Sequence, residues 1–479
     1  MAMLILGPFL LPLVTALLSA AVRGRLQTAV NLIGGVLLFV CAIALLLEVS
    51  GAGRQSLAVG AWPLPYAIEL AADGLSAAMV LLVAFVSLVV LIFQLGWREL
   101  PERPGLYPLQ HGLIAATMAA ILAADLFNLY VWFELMLMAT LGLLVLGGRE
   151  RNHEAAFKYF SLNMLGALAM LAAVGLIYGA TGNLNLEALA RAVREPELAA
   201  AVPAYVGLLL AALLLKVGAF PLFAWLPAAY HTLPAPLLAL VGGLLTKITV
   251  YILLRLTGQV FDIGQLYEFI GWLAVVTMLS GVLGAAYHWD LRRILSFHIV
   301  SQIGYLLLGL ALASQAAASA TGFFLFHNIL VKTNLFLIAG LMWCAMGHYD
   351  LRKGGGLFPA RPLLAVLFLL SAFSLVGVPP TTGFWGKFLI LKEALHQERL
   401  VWAGIALATG LLTLYSMSKI WLEGFWKPHS ANPSPVPLPV PAYAAVIVLS
   451  LVILLVGLYP EPLIEYLQRQ TAVFGGPIE

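Results

Sequence analysis

FSLVGVPPTTGFWGKFLIL, residues 373–391, is an apolar run that carries a proline pair, Pro379 and Pro380, and one lysine, Lys387. The residues ahead of it, PLLAVLFLLSAFSLV (362–376), are apolar without interruption. The whole segment exceeds the roughly 20 residues that an α-helix needs to cross about 30 Å of hydrocarbon. Proline inside a helix removes a backbone hydrogen bond and unwinds the chain locally. In a bilayer such a break is tolerated only where the freed groups are buried in protein or face water. The stretch therefore reads as a discontinuous transmembrane helix, and LLKVGAFPLFAWLPAAYHTLPAP (214–236) repeats the pattern, with Lys216 just before Pro221.

The rest of the chain agrees with a membrane solvent. Of 479 residues, 62% are hydrophobic and 10% charged, and the mean hydropathy is +1.00, outside the range of water-soluble domains. A β-barrel needs short segments of alternating polarity, whereas YVGLLLAALLL from Tyr205 is continuously apolar; an open sheet cannot satisfy its backbone in lipid. The fold class is all-α integral membrane. Cys41 and Cys344 lie inside apolar spans, far apart and without metal-ligand spacing. The net charge of +3 comes with no basic tract, which argues against nucleic acid. The first apolar stretch, Met1 to Ala21, lacks a charged leader and holds Pro8 and Pro12, so it reads as a retained span.

Apolar runs and the breaks between them give about fourteen spans. Their cores are 2–21, 28–48, 74–96, 109–124, 126–147, 155–179, 203–230, 235–257, 263–286, 294–313, 319–346, 361–394, 401–425 and 437–460. Only Ala123-Ala124-Asp125 separates the fourth from the fifth. Odd-to-even connections hold Arg23, Arg25, Arg98, Arg103, Arg149, Arg151, Arg292, Arg293, Arg352, Lys353, Arg361 and Lys427. The others hold roughly half as many, which assigns the first set to the cytoplasm and both termini to the outside. Spans four to eight and nine to thirteen read as two five-helix units with a broken helix, the seventh or the twelfth, fourth in each. An odd number of helices inverts the second unit relative to the first. The expected division is 1–108 (helices 1–3), 109–258 (first repeat), 259–427 (second repeat) and 428–479 (helix 14). No loop carries a phosphate-binding glycine motif or metal-ligand spacing, so no cofactor and no metal is expected.

Charged residues inside the spans need a reason, since each costs about 2.5–3.5 kcal/mol at mid-bilayer on insertion scales. They are Glu134 (LYVWFELMLMATLG), Lys216, Lys247 (GGLLTKITVYILL), Lys332 (FHNILVKTNLFLIAG) and Lys387. Burial disfavours an ammonium and a nearby carboxylate favours it, so a movable partner can switch a buried lysine between charged and neutral. Glu134, the acid deep in the first unit, pairs naturally with Lys216. Lys247 then takes the next step, and His327 hands the proton to Lys387. The plainer reading for any one lysine is a structural ion pair or a snorkelling side chain, and it suits Lys332, Lys392 and Lys158 best. His298 follows the Arg292–Arg293 loop and reads as interfacial, while Asp125 reads as a helix cap. Lys419 stays open.

GGLLTKITVYILLRL, DLRRILSFHIVSQIGYLLLGLAL, FHNILVKTNLFLIAGL and FSLVGVPPTTGFWGKFLIL together resemble the antiporter-like subunits of respiratory complex I, membrane-bound hydrogenases and the Mrp multisubunit sodium/proton antiporters. The likeness covers nearly the whole chain and is greatest to the D subunits of Mrp complexes, through FELMLMATLGLLVLGG and KYFSLNMLGALAMLAAVGLIYGATGNLNLEAL and through lysines at Lys247 and Lys387. The resemblance implies Glu134 and Lys216 as a switching pair, Lys247 and His327 as central relay, and Lys387 as exit group, along a hydrated mid-membrane axis. It also implies a cell-membrane complex with other hydrophobic subunits, carrying H+ and Na+, and a secondary transporter rather than an enzyme. The alternatives are a proton-pumping subunit of a redox-driven complex and a membrane scaffold that transports nothing.

Overall fold

The computed structural model describes residues 2–60, 62, 67–97, 105–195, 202–428 and 438–472. Arg98 and Arg103, which enter the charge count, lie outside the described residues. After a 3₁₀ turn at Ala2–Leu6 come α1 (Gly7–Ala21), α2 (Gly24–Ala52), the strands β1 (Gln55–Val59) and β2 (Ile68–Ala72), α3 (Gly74–Gln94), α4 (Leu106–Leu122), α5 (Leu126–Val145) and α6 (Glu150–Thr181). The middle of the chain forms α7 (Leu186–Ala192), α8 (Val202–Val217), α9 (Trp225–Tyr230), α10 (Ala235–Arg255), α11 (Leu266–Tyr287), α12 (Leu291–Ala311) and α13 (Gln315–Met346). It ends with α14 (Leu357–Ala360), α15 (Pro362–Val376), α16 (Thr382–His396), α17 (Leu400–Ile420), α18 (Val440–Leu458) and α19 (Glu461–Gln470). Among the described residues eleven helices are long and apolar enough to cross a membrane, and three shorter apolar helices join them. Each apolar core read from the sequence overlaps one of them, the cores 203–230 and 361–394 only in their first halves. The departure from an all-helical chain is the antiparallel β1–β2 hairpin, Gln55 opposite Ala72 and Val59 opposite Ile68.

Both expected breaks are present. The seventh span stops at Val217 and resumes at Trp225, and the twelfth stops at Val376 and resumes at Thr382. At each break a glycine in the left-handed region, Gly218 (φ 82°) or Gly377 (φ 95°), turns the chain where a side chain would be strained. The fourth and fifth spans are separate helices because Asp125 caps α5, accepting from the Asn128 amide at 2.8 Å. Asp73 and Ser76 cap α3 reciprocally.

Several local features recur 165 residues apart. Asp125 bridges Asn185 as Asp290 bridges Asp350; Gly182 and Gly347 end the 32-residue helices α6 and α13 in the left-handed region. Single π turns beginning at Leu256 and Trp421, wider than an α turn, end α10 and α17. The Asp125–Asn185 bridge lies on the face of the hairpin, since Leu70 of β2 bridges Ala123. On that face Asp73 pairs with Arg255 at 3.4 Å and the Tyr466 hydroxyl of α19 donates to the Gly74 carbonyl. The Asp290–Asp350 bridge lies on the opposite face, where Arg352 holds the Asp350 carboxyl below the usual carboxylate range.

Burial grades the helices. The apolar windows of α10 and α12 are 94% buried and that of α13 is 83%, against 33% for α2, so α10, α12 and α13 form the centre of the bundle. The outer helices present leucine and isoleucine outward, including Leu26, Ile33, Leu47 and Leu455, as a lipid-facing or subunit-facing surface requires. At Gly383 an added Cβ would come within 1.7 Å of the Ser374 carbonyl oxygen, whereas at Gly404 it would meet nothing within 4 Å. Gly383→Ala should therefore destabilise the purified protein by about 1–3 kcal/mol through overpacking. Gly404→Ala should stay within about 0.5 kcal/mol. Thermal unfolding in detergent compares the two.

Candidate functional site

The first break brings Lys216 to Glu134. Lys216 ends α8 and is 6% exposed, and its Nζ lies 3.9 Å from Oε1 of Glu134 on α5 and 5.4 Å from the centre of the Phe133 ring. Oε1 of Glu134 has no hydrogen-bond partner among the described residues. The contact is thus charge to charge across a short gap rather than a closed hydrogen bond. Beside it is a cavity of about 30 Å³ lined by Lys216, Tyr159, Asn163 and Thr249 among others, which exceeds the roughly 10–15 Å³ that one water needs.

At the rim of this break, between α9 and α10, His231 is fixed as a neutral ring. Its Nδ1 lies 2.9 Å from the Pro227 carbonyl oxygen, which can only accept, so Nδ1 donates. Nε2 then accepts from the Arg293 guanidinium at 3.2 Å. Burial first, and Arg293 second, push its pKa down to about 4.

The second break is organised around Lys387, reached from the other side. With Gly218 matched to Gly377 and Pro221 to Pro380, a spacing of 159 residues, the counterpart of Lys216 is Leu375. Lys387, on α16, reaches back to that place: its Nζ donates to the carbonyls of Leu375 at 2.9 Å and Val376 at 2.8 Å. Lys387 thus sets an ammonium at the C-terminal end of the first half-helix, where unpaired carbonyls and the helix dipole favour a cation, while Lys216 is carried by the last turn of the corresponding half-helix α8. The Tyr305 ring lies 4.7 Å below the Lys387 Nζ.

Between the breaks stand Lys247, Lys332 and His327. Lys247 of α10 is fully buried and donates to the Gly242 carbonyl at 2.6 Å. Lys332 of α13 is fully buried, and its Nζ has no hydrogen-bond partner among the described residues; Lys247 and Lys387 both act on it electrostatically. A snorkelling side chain would reach a face, and Lys332 does not. His327, one turn away on α13, has Nδ1 2.8 Å from the Thr382 hydroxyl and 3.5 Å from that of Ser374, with Nε2 unpartnered among the described residues. Helix α13 packs against α10, α15 and α16; α10 also touches α8 and so bridges to the first break.

The bland expectations divide. Lys158 pairs with Glu154 on an exposed surface, and Asp125 is a cap, as read. His298, read as interfacial, is fully buried in the protein, and its Nε2 lies 3.0 Å from the Ser416 hydroxyl. The sequence reading did not single out Thr382, Ser374, Gln302, Tyr305 or Asn163. Their one signal was polarity inside apolar spans, which Ser and Thr bonded to their own helix also give.

Residues 123–413 match the family described as NADH:quinone oxidoreductase/Mrp antiporter, transmembrane. The chain is 37% identical to the D subunit of the Na(+)/H(+) antiporter of Alkalihalophilus pseudofirmus, over 97% of this chain and 95% of that one. Among solved structures it is similar to a chain of the Mrp complex from Dietzia sp. DQ12-45-1b, with TM-score 0.90, 30% identity, and 99% and 98% of the two chains covered. It is also similar to a chain of respiratory complex I from Thermus thermophilus with bound NADH, with TM-score 0.86, 25% identity, and 99% and 100% covered.

The Lys216–Glu134 pair makes a measurable claim. In a double-mutant cycle of Lys216→Met and Glu134→Leu, the double variant should be more stable than the sum of the singles by about 1–3 kcal/mol, as contacting buried charges are coupled. Strict additivity in thermal unfolding of the purified protein would mean that the two groups do not interact.

Proposed function

Since the chain belongs to the NADH:quinone oxidoreductase/Mrp antiporter transmembrane family, we propose that it is the proton-translocating subunit of a multisubunit sodium/proton antiporter. The observation that carries this reading is the series of half-buried Glu134 and buried Lys216, Lys247, Lys332, His327 and Lys387, which runs from one helix break to the other with fewer carboxylates than ammonium groups. A scaffold has no use for such a series, because each desolvated cation costs stability. The relatives' names supply the transported ions, and the greater identity to the antiporter chain than to the complex I chain favours antiport over redox-driven pumping. It is a secondary transporter subunit, not an enzyme.

In the proposed cycle Glu134 stabilises the Lys216 ammonium. Withdrawal of the carboxylate leaves a desolvated charge, and Lys216 gives its proton through water to Lys247. Lys332 and His327 pass it on to Lys387, whose carbonyl partners at the second break hold the ammonium until release. The features recurring 165 residues apart, on opposite faces, support two inverted five-helix units, 109–258 and 259–427, flanked by 1–108 and 428–479. The arginine-rich face is assigned to the cytoplasm of a cell membrane and both termini to the outside. Other hydrophobic subunits and lipid cover the outer helices.

The test is antiport in everted vesicles carrying the whole complex, read with a pH-sensitive dye after sodium addition. Lys216→Ala and Glu134→Ala should each assemble, shown by co-purification, and lose proton movement by at least about tenfold, in line with loss of a positioned proton-transfer group. Assembled variants with normal exchange would overturn the reading.

A further inference from the structure

Along α12 one side differs from the rest of the bundle in how its polar groups are partnered. Hydroxyls within the spans ordinarily bond back to their own helix: Ser296 to the Arg292 carbonyl, Thr321 to Ala317, Thr409 to Ile405 and Thr413 to Thr409. Ser416, one turn on from Thr413, instead meets His298. Beyond His298 the partners stop. Its Nδ1 and both polar atoms of the Gln302 side chain, all fully buried, have none among the described residues, and the same holds for Nζ of Lys332 on the adjoining α13.

These groups form a sequence in space. His298, Gln302 and Tyr305 follow each other at helical spacing on α12, and Tyr305 lies under Lys387. At the other end Lys419, one turn beyond Ser416, donates to the carbonyls of Ala286 and His288 at 2.6 and 2.7 Å, where α11 ends on the arginine-rich face. Lys332, Lys387 and Lys419 all act electrostatically on His298. A buried polar atom without a partner costs about 1–3 kcal/mol, so a run of them from a membrane face to a buried lysine is expensive unless water serves it.

Resting on the proton-translocating reading above, we propose that Ser416, His298 and Gln302 form a proton access route from the cytoplasmic face, at Lys419, to Lys332 and Lys387 in the second unit, independent of the route at Lys216. Nε2 of His298 takes a proton from the Ser416 hydroxyl, which regains one from water at the face. Nδ1 releases its own proton through water beside Gln302 to the neutral amine of Lys332, which becomes the ammonium. Lys419 holds the end of α11 at the mouth and carries no proton itself.

The experiment uses the whole complex in a background carrying Cys41→Ala and Cys344→Ala. Ser416→Cys is exposed to a membrane-impermeant cationic methanethiosulfonate in everted and in right-side-out vesicles. The expected result is labelling at least about tenfold faster in everted vesicles, with sodium-driven proton flux falling as label is added; His298→Phe, assembled, should lower flux by a similar factor, as loss of a positioned transfer group does. No labelling from either face, or full labelling with unchanged flux, overturns the route. If Ser416→Cys does not assemble, Gln302→Cys gives the same reading one turn deeper. Lys216→Ala in parallel separates the claims: its loss of flux beside normal flux in labelled Ser416→Cys rejects this route alone, and its normal flux rejects the function proposed above.

Discussion

A helix broken inside a membrane leaves carbonyl groups without donors, and a lysine buried in protein needs acceptors; this chain satisfies each demand with the other. Lys387 sets its ammonium on the carbonyls of Leu375 and Val376, and Lys216 ends α8 where the same groups are freed. Without the second break the Lys387 ammonium would lose both its acceptors and be costly to bury. Without the ammonium groups the breaks would be costly to leave open. The packing of α10, α12 and α13 at the centre keeps both conditions in place by excluding lipid from the axis.

The two breaks solve the problem with different acids and bases. At the first, a carboxylate faces the lysine across 3.9 Å, a gap that leaves the pair free to separate. At the second, two carbonyls and the Tyr305 ring hold Lys387. A carboxylate can be moved or neutralised, whereas backbone carbonyls are fixed, and the proposed cycle accordingly uses the first site to switch and the second to hold.

Much of this was legible in the sequence because lipid leaves few choices. Apolar length set the helices, proline set the breaks at Pro221 and Pro380, and charge inside apolar runs marked Glu134, Lys216, Lys247, His327, Lys332 and Lys387. What could not be read was orientation around each helix. Lys332 looked like a snorkelling residue and His298 an interfacial one, since sequence position gives depth only to within a turn or two and says nothing of which side faces the axis. The hairpin at 55–72 was missed because its few polar residues lie between two long apolar spans. Thr382 and Ser374, which hold His327, carry no sequence signal that separates them from hydroxyls bonded within their own helix.

The central claim is that Lys216 alternates between ammonium and neutral amine. Solid-state ¹⁵N spectroscopy of lysine-labelled complex in lipid, with the Lys216 signal assigned by its loss in Lys216→Gln, reads that state directly. The account predicts both forms at a pH where the complex exchanges ions, with their ratio shifting when Glu134 is replaced by Gln. An ammonium signal alone, unchanged by pH and by Glu134→Gln, would contradict it.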